Sequence, residues 1–415
     1  MCGILFSNNK NNIKDLSLLQ RRGPESNQEI ENHLGYFYHS NLNTIGELTQ
    51  QPLNTGNGFL LYNGSTYNHL PYNDARYIAD NLNDNVDHTI EIIKSLRGEY
   101  ALIYVTDNHI VFCADHFYQR NLYYYHDTSG STTICTIPKL VQEKHNSAWR
   151  AEPNFIYIVD KQNNKIKKII NKSWNFHQKD DNFDKVFSCF EKAVKDRFNP
   201  MISTTLQSSG LDSGVVNAAV YKMYGDNFKS VCDIKIEDKQ ILNERNKLHR
   251  TYPVIHSGSQ TEKTLLENKI LGTDIWDMAE TDPMLYIVRE VVKKMNSHKI
   301  ILTGTGGDEI YNDYQGQCNN RKTSISNGAW PEDLSMIWPW HSYTPRLTHS
   351  LSVFDYVCGL YGVETRNPLL DSDLVQAWLN TTCKLKNKAY KGWMQEYCKT
   401  VGYPYTLEKI HFNEP

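Results

Sequence analysis

The segment Thr205–Val216, TLQSSGLDSGVV, constrains this 415-residue chain more than any other stretch. The residues leading into it, Ile202–Leu206 (ISTTL), are β-branched and apolar, which predicts a buried strand. Ser208, Ser209 and Gly210 then make a turn too small to carry bulk, Asp212 and Ser213 follow, and Val215–Tyr224 reads as a helix. Backbone N–H groups and hydroxyls in such a turn crowd around an anion at a helix N-terminus, where the helix dipole favours negative charge. Asp212 would repel a phosphate there unless a divalent cation lay between them. On these residues alone, a nucleotide-phosphate site with magnesium stands beside a plainer alternative, a Ser/Gly turn with an aspartate cap.

Length and charge narrow the setting. At 415 residues the chain can build two domains, each with its own core. A net charge of −3 leaves no basic footprint for nucleic acid. Apolar runs such as GFLLY and ALIYV are too short to cross a bilayer, and MCGILF has no basic residue ahead of its apolar run, as a secretory leader would. The nine cysteines fall without CxxC pairs or metal-ligand spacing, which fits reduced thiols in a cytoplasmic setting.

SSGLDS resembles the SGGLDS pyrophosphate loop of the ATP-pyrophosphatase enzymes, in the form used by the glutamine-dependent asparagine synthetase family, with Ser209 in place of the first glycine. Four other stretches resemble that family in the same order. Leu18–Ser26 (LLQRRGPES) is similar to its HRGPD stretch, with Arg22, Gly23 and Pro24 retained and Arg21 and Glu25 replacing His and Asp. Leu61–His69 (LYNGSTYNH) resembles NGEIYN. Lys299–Tyr314 (KIILTGTGGDEIYNDY) resembles LSGEGGDELFGGY, and Tyr361–Asp371 (YGVETRNPLLD) resembles WGVEARVPFLD.

The resemblance implies a two-domain fold of mixed α/β and α+β class: an Ntn-hydrolase-like αββα glutaminase sandwich over residues 2–160, and a parallel-sheet ATP-pyrophosphatase domain over residues 175–415. In the first domain it implies Cys2 as nucleophile, after removal of Met1. The α-amino group, whose ordinary pKa is near 8, can then act as base for its own thiol. Asn63 and Gly64 are implied as oxyanion-hole donors of the kind acyl transfer requires. Arg22 and Asp74, the latter in Asn73–Tyr77 (NDARY), are implied as glutamine-binding residues. On the residues alone, the Asn63-Gly64 pair also reads as a hairpin turn. Two positions depart from the pattern. Asn41, in Tyr38–Gly46, stands where the family carries an arginine for the glutamine α-carboxylate, and a neutral amide cannot give that charge-assisted clamp. Ser65 stands where the family carries a glutamate.

In the second domain the resemblance implies that Leu206, Ser208, Ser209, Gly210, Leu211, Asp212, Ser213, Ile234, Thr303, Gly304 and Arg366 bind ATP and its pyrophosphate. Asp212 and Asp308 would share a magnesium ion, and Lys391, in YKGWMQEY, would stabilise charge on the adenylate and leaving pyrophosphate. Glu364 and Arg366 are expected to pair and hold their loop, and Asp371 to cap the next helix. Thr305 replaces a family glutamate that lies near the acceptor. The chain also ends well short of the family's usual C-terminus, where a cover over this site would lie.

The resulting expectation is a cytoplasmic amide ligase using glutamine, ATP and Mg²⁺. It would adenylate a carboxylate, aspartate by default, and aminate it with ammonia. The same chemistry on a sugar acid, peptide or other small acid is the alternative, followed by a non-catalytic nucleotide-binding regulator. Its partners would be small molecules and, in a homodimer, a second copy of the chain. Three structural expectations accompany this. Asn182–Phe198 should form an amphipathic helix, and LRGEYALIYV and ADHFYQRNLYYY should be paired strands. Asp160–Lys172 is too polar for core and should lie at the domain boundary.

Overall fold

The computed structural model describes the chain except residues 11, 12, 14, 15, 45, 47, 69–72, 146, 235, 236, 255–280, 296, 312–329, 337, 339–344 and 408–415. Two compact units emerge. The described residues of Met1–Ser173 and Leu351–Glu364 form the first, and those of Trp174–Ser259, Asp277–Ser350 and Thr365–Pro415 form the second.

The first unit holds two six-stranded antiparallel sheets. One runs Trp149–Arg150, Tyr123–His126, Thr132–Cys135, Gly3–Ser7, Gly35–Asn41, Ser26–Asn32; the other runs Lys165–Ile170, Phe155–Asp160, His109–Ala114, Gly98–Thr106, Gly58–Thr66, Leu53–Asn54. Side chains alternate across each strand. Ile4, Phe6, Phe37 and Ile134 of the first sheet therefore meet Leu61, Ala101, Ile103, Val105 and Phe112 of the second in a shared core. The opposite face of the second sheet, with Leu60, Tyr62, Leu102 and Tyr104, buries Ile78, Ala79, Ile90 and Ile93 of the helices Asp74–Asn81 and Val86–Ser95. Beyond the first sheet lie the helices Ser17–Arg22 and Pro138–His145, tied to it by Ser40 Oγ donating to Leu19 O and by the His145 Nε2 contact to Thr133 Oγ1 at 2.8 Å. The unit is thus a helix–sheet–sheet–helix sandwich.

Two expectations about local structure need correction. Gly98–Thr106 and Tyr123–His126 are strands, but they belong to different sheets; Gly98–Thr106 pairs with Gly58–Thr66 and His109–Ala114. Between them, Asp115 folds the chain over by accepting from the backbone N–H groups of Phe117 and Gln119. The polar Asp160–Lys172 stretch, expected at the domain boundary, lies at the end of the first unit but forms a strand of its sheet. Lys165–Ile170 pairs along its whole length with Phe155–Asp160 as an edge strand, and its lysines are the charged decoration by which exposed edges avoid further pairing.

The second unit is built on a five-stranded sheet ordered Thr251–Val254, Lys229–Asp233, Ser203–Leu206, Ile300–Leu302, Glu364–Arg366, the last strand starting at Glu364, where the first unit's segment ends. Ser203–Leu206 pairs in parallel with both Lys229–Asp233 and Ile300–Leu302. Strand order reverses at this central strand, and ligands of open α/β sheets bind at the carboxyl ends of strands beside such a switch point. Asp184–Arg197 is the expected amphipathic helix, burying Val186, Phe190, Ala193 and Val194. The helix after the Ser/Gly turn begins at Leu211, four residues before the sequence pattern declares it, so Asp212 and Ser213 lie in its first turn. No helix among the described residues is long and apolar enough to cross a membrane.

Candidate functional site

In the first unit, Cys2 sits just ahead of the strand Gly3–Ser7, and strand alternation turns Asn63 to the same inter-sheet face as Leu61. The two meet: Cys2 N donates to Asn63 Oδ1 at 2.8 Å. With its oxygen engaged, Asn63 has its Nδ2 buried and, among the described residues, without a hydrogen-bond partner. Burying an unsatisfied donor is costly, so this N–H₂ is poised for an acceptor that none of the described residues supplies. Gly64 lies within the strand Gly58–Thr66, not in a hairpin turn. Its φ of +147° and the 2.0 Å that would separate an added Cβ from Glu99 O admit only glycine.

The Cys2 thiol is half-buried, accepts from Leu42 N at 3.5 Å, and lies 3.8 Å from Asn41 Oδ1. Burial pushes its pKa up, so the thiol needs a base before it can attack. The Met1 α-amino group beside it is pulled down to about 6 by burial. Asn41 gives its Nδ2 to Thr49 O at 2.8 Å. Asp74 opens the helix Asp74–Asn81 and accepts from Thr66 N at 3.1 Å and Tyr62 Oη at 3.5 Å. Arg22 is 1% exposed; its Nε donates to Cys2 O at 3.0 Å, and its Nη2 pairs with Asp355 Oδ2 at 2.8 Å. Ser65 Oγ donates to Glu364 Oε1 at 3.2 Å, and Arg120 Nη2 stands 3.5 Å from the same oxygen.

In the second unit the two aspartates and the lysine come together. Lys391 Nζ lies 2.5 Å from Asp212 Oδ1 and 2.7 Å from Asp308 Oδ1, and Tyr390 Oη adds a hydrogen bond to Asp308 Oδ1 at 3.2 Å. The two carboxylates hold Lys391 charged far above its ordinary range, against the opposing effect of burial. Its backbone is left-handed, with φ +46°, uncommon for a residue with a Cβ. Asp212 and Asp308 follow neighbouring parallel strands, and two glycines let their loops touch. A Cβ on Gly307 would stand 2.3 Å from Asp212 Oδ1, and one on Gly304 would stand 2.6 Å from the Asp212 carbonyl carbon.

Two carboxylates converging on one cation are a fitting start for Mg²⁺, which takes few protein ligands and completes its shell with phosphate oxygens and water. In the structure the cation between the two carboxylates is the Lys391 ammonium. Among the described residues no group of three or more His, Cys, Asp or Glu side chains forms a closed metal cage.

The Ser/Gly turn is braced internally: Ser208 N donates to Ser213 Oγ at 2.9 Å, and the Ser208 and Ser213 hydroxyls lie 2.7 Å apart. A carboxylate already occupies part of it. Glu237 Oε2 accepts from Ser209 N at 2.5 Å and from Ser209 Oγ at 2.6 Å, marking these donors as an anion position. Leu206 O accepts from Asn217 Nδ2 at 3.0 Å, and Leu211 is buried in the helix's first turn. Thr303 spends its hydroxyl on Asn367 Oδ1 at 2.6 Å and on the Thr305 hydroxyl at 2.8 Å. Ile234 follows the strand Lys229–Asp233 and gives its N–H to Val254 O at 3.1 Å. Arg366 is buried, its Nη1 donating to Arg197 O at 3.1 Å, while Arg197 Nη1 pairs with Asp371 Oδ2 at 2.8 Å. Asp371 caps Ser372–Asn380 by accepting from Asp373 N and Leu374 N, as expected.

Several residues at these sites carried no sequence signal. Arg245 is fully buried behind the Ser/Gly turn and donates to the carbonyls of Ser208, Ser209 (3.3 Å), Gly210 (3.2 Å) and Pro404 (2.8 Å). Turning these carbonyls toward the guanidinium leaves the turn's N–H side for an anion, with a buried positive charge behind it. Glu237 and Asp355 were equally silent. The one legible hint is Gly214, a helix-interior glycine whose added Cβ would stand 2.6 Å from Arg245 Nη2.

No family model matches this chain, and no curated protein matches it. Among solved structures it is similar to one described as the allosteric regulatory enzyme of purine biosynthesis, at 11% identity over 64% of this chain and 77% of that one, with a TM-score of 0.35. It is also similar to glutamine phosphoribosylpyrophosphate amidotransferase from B. subtilis complexed with ADP and GMP, at 10% identity over 88% and 90% of the two chains, with a TM-score of 0.35.

Proposed function

We propose that this chain is a glutamine-hydrolysing, ATP-dependent amide ligase of the asparagine synthetase type. The observation that carries this reading is the meeting of Asp212 and Asp308 at Lys391, at the carboxyl ends of adjacent parallel strands. In the first unit, the Cys2 thiol would attack the donor's side-chain amide, its proton passing to the neighbouring amine. Asn63 Nδ2 would receive the oxyanion, and water would release the acyl group after ammonia departs. In the second unit, Ser208–Ser213 would hold the phosphates, and Asp212 and Asp308 would hold Mg²⁺, whose charge offsets that of the phosphates. The acceptor carboxylate, a poor electrophile until adenylated, would displace pyrophosphate from ATP, and ammonia would then displace AMP. Lys391, beside both aspartates, would supply positive charge to the adenylate and the leaving pyrophosphate.

Asp212→Asn and Asp308→Asn should each lower Mg²⁺-dependent pyrophosphate release by roughly 10²-fold or more while glutamine hydrolysis stays near wild type. Release unchanged by both substitutions would sink the magnesium assignment.

A second acceptor is favoured by one local fact. The Thr305 and Thr303 hydroxyls bond each other where the resembling family places a glutamate near the acceptor, so this wall is neutral. Aspartate is the default acceptor, and a small acid without an α-amino group is the alternative. Pyrophosphate release across a panel of carboxylates separates the two.

A further inference from the structure

Cys2 is fixed at both ends of its peptide unit: its N donates to Asn63 Oδ1 at 2.8 Å, and its O accepts from Arg22 Nε at 3.0 Å. The second bond has its own support. Arg22 Nη2 donates to Asp355 Oδ2 at 2.8 Å and Nη1 to Asp355 O at 3.3 Å, so residue 355 takes both ends of the guanidinium fork. The fork is planar and rigid, and fixing its two terminal nitrogens fixes the direction of Nε. Both side chains are almost wholly buried, at 2% and 1% exposure. The surrounding chain is shaped for them: an added Cβ on Gly359 would stand 2.7 Å from Arg22 Nη1, and one on Gly362, whose φ is +64°, would stand 3.1 Å from Pro24 Cγ. A buried ion pair contributes little net stability compared with apolar residues of the same volume, so this one calls for another explanation.

We propose that Asp355 is a positioning residue for the N-terminal nucleophile. By locking Arg22 it holds the Cys2 carbonyl, and through it aims the thiol at the acyl carbon beside Asn63 Nδ2. This rests on the reading of Cys2 as the glutaminase nucleophile. Displacements of about 1 Å cost on the order of 10²-fold in rate when they spoil attack geometry, without changing how substrate binds.

The test uses the full chain with Asp355→Asn and, because loss of one partner can unfold the unit, the paired replacement Arg22→Met/Asp355→Leu, which leaves no buried charge. In Asp355→Asn, which leaves Arg22 in place, glutamine hydrolysis should fall roughly 10- to 100-fold in kcat with KM within about twofold, while ammonium-driven pyrophosphate release is unchanged. The paired variant should show the same fall in kcat. A paired variant that melts like wild type and keeps its kcat would overturn the proposal. Should wild type itself leave glutamine untouched, the glutaminase reading fails, and hydrogen exchange of the peptide 1–7 still decides the clamp. Exchange about tenfold faster in the paired variant, confined to that peptide, supports the proposal; an unchanged rate overturns it.

Discussion

A buried amide with a spare N–H₂ makes Asn63 informative as a single residue, because its oxygen is spent on Cys2 N while Nδ2 waits without a partner among the described residues. Removing such a donor costs about 10²–10³ in kcat where it faces a developing oxyanion. Asn63→Ala should therefore lose glutamine hydrolysis by that factor and keep ammonium-driven amidation, as read by glutamate release and pyrophosphate release in parallel. The same pocket predicts a pH dependence. An α-amine buried in this pocket is held below its ordinary 8, as the Met1 amine is, so the base that processing frees on Cys2 is protonated and idle in acid and becomes neutral as the pH rises. Hydrolysis by the processed chain should rise with pH, with its midpoint below the ordinary 8 of an α-amine. A rise centred near pH 8 instead would mean the amine is solvated and not the base described. Sequence made these residues nameable because Asn-Gly is a conspicuous pair. It could not tell a hairpin turn from a strand interior, since that depends on Gly64 meeting Glu99 of the neighbouring strand, far away along the chain.

The Ser/Gly turn shows the same limit at the level of elements. Its strand, turn and helix were legible from β-branched residues, small residues and apolar spacing. The guanidinium clamp behind it was not, because Arg245 sits in a polar helix, Lys239–Asn246, whose pattern points nowhere in particular. Only Gly214 registered the contact. Gly214→Ala adds a Cβ 2.6 Å from Arg245 Nη2 and should destabilise the protein by about 1–3 kcal/mol, visible as a lowered Tm. Arg245→Met should leave four carbonyls short of a donor and weaken pyrophosphate binding as well as stability, measurable by calorimetry. The strand Lys165–Ile170 was illegible for a related reason: an edge strand carries charge to discourage pairing, and that charge hides the apolar alternation that marks a strand.

Across the whole molecule, two kinds of sheet answer two kinds of chemistry. The antiparallel sandwich brings the chain's second residue against a strand that comes much later in sequence, and the parallel sheet brings two loops together at its switch point. Composition permitted this arrangement, and the short motifs named residues that come together in it. The partners that hold those residues, Asp355 for Arg22 and Glu237 for Ser209, come from segments whose sequence is ordinary, so their placement was knowable only from the fold. One measurement tests the account most directly: pyrophosphate release from ATP and Mg²⁺ with aspartate, using glutamine or ammonium as nitrogen source, for wild type and Cys2→Ala. The account predicts release with both sources in wild type, and with ammonium alone in Cys2→Ala. Release with glutamine undiminished in Cys2→Ala, or none with any carboxylate and either source in wild type, would contradict it.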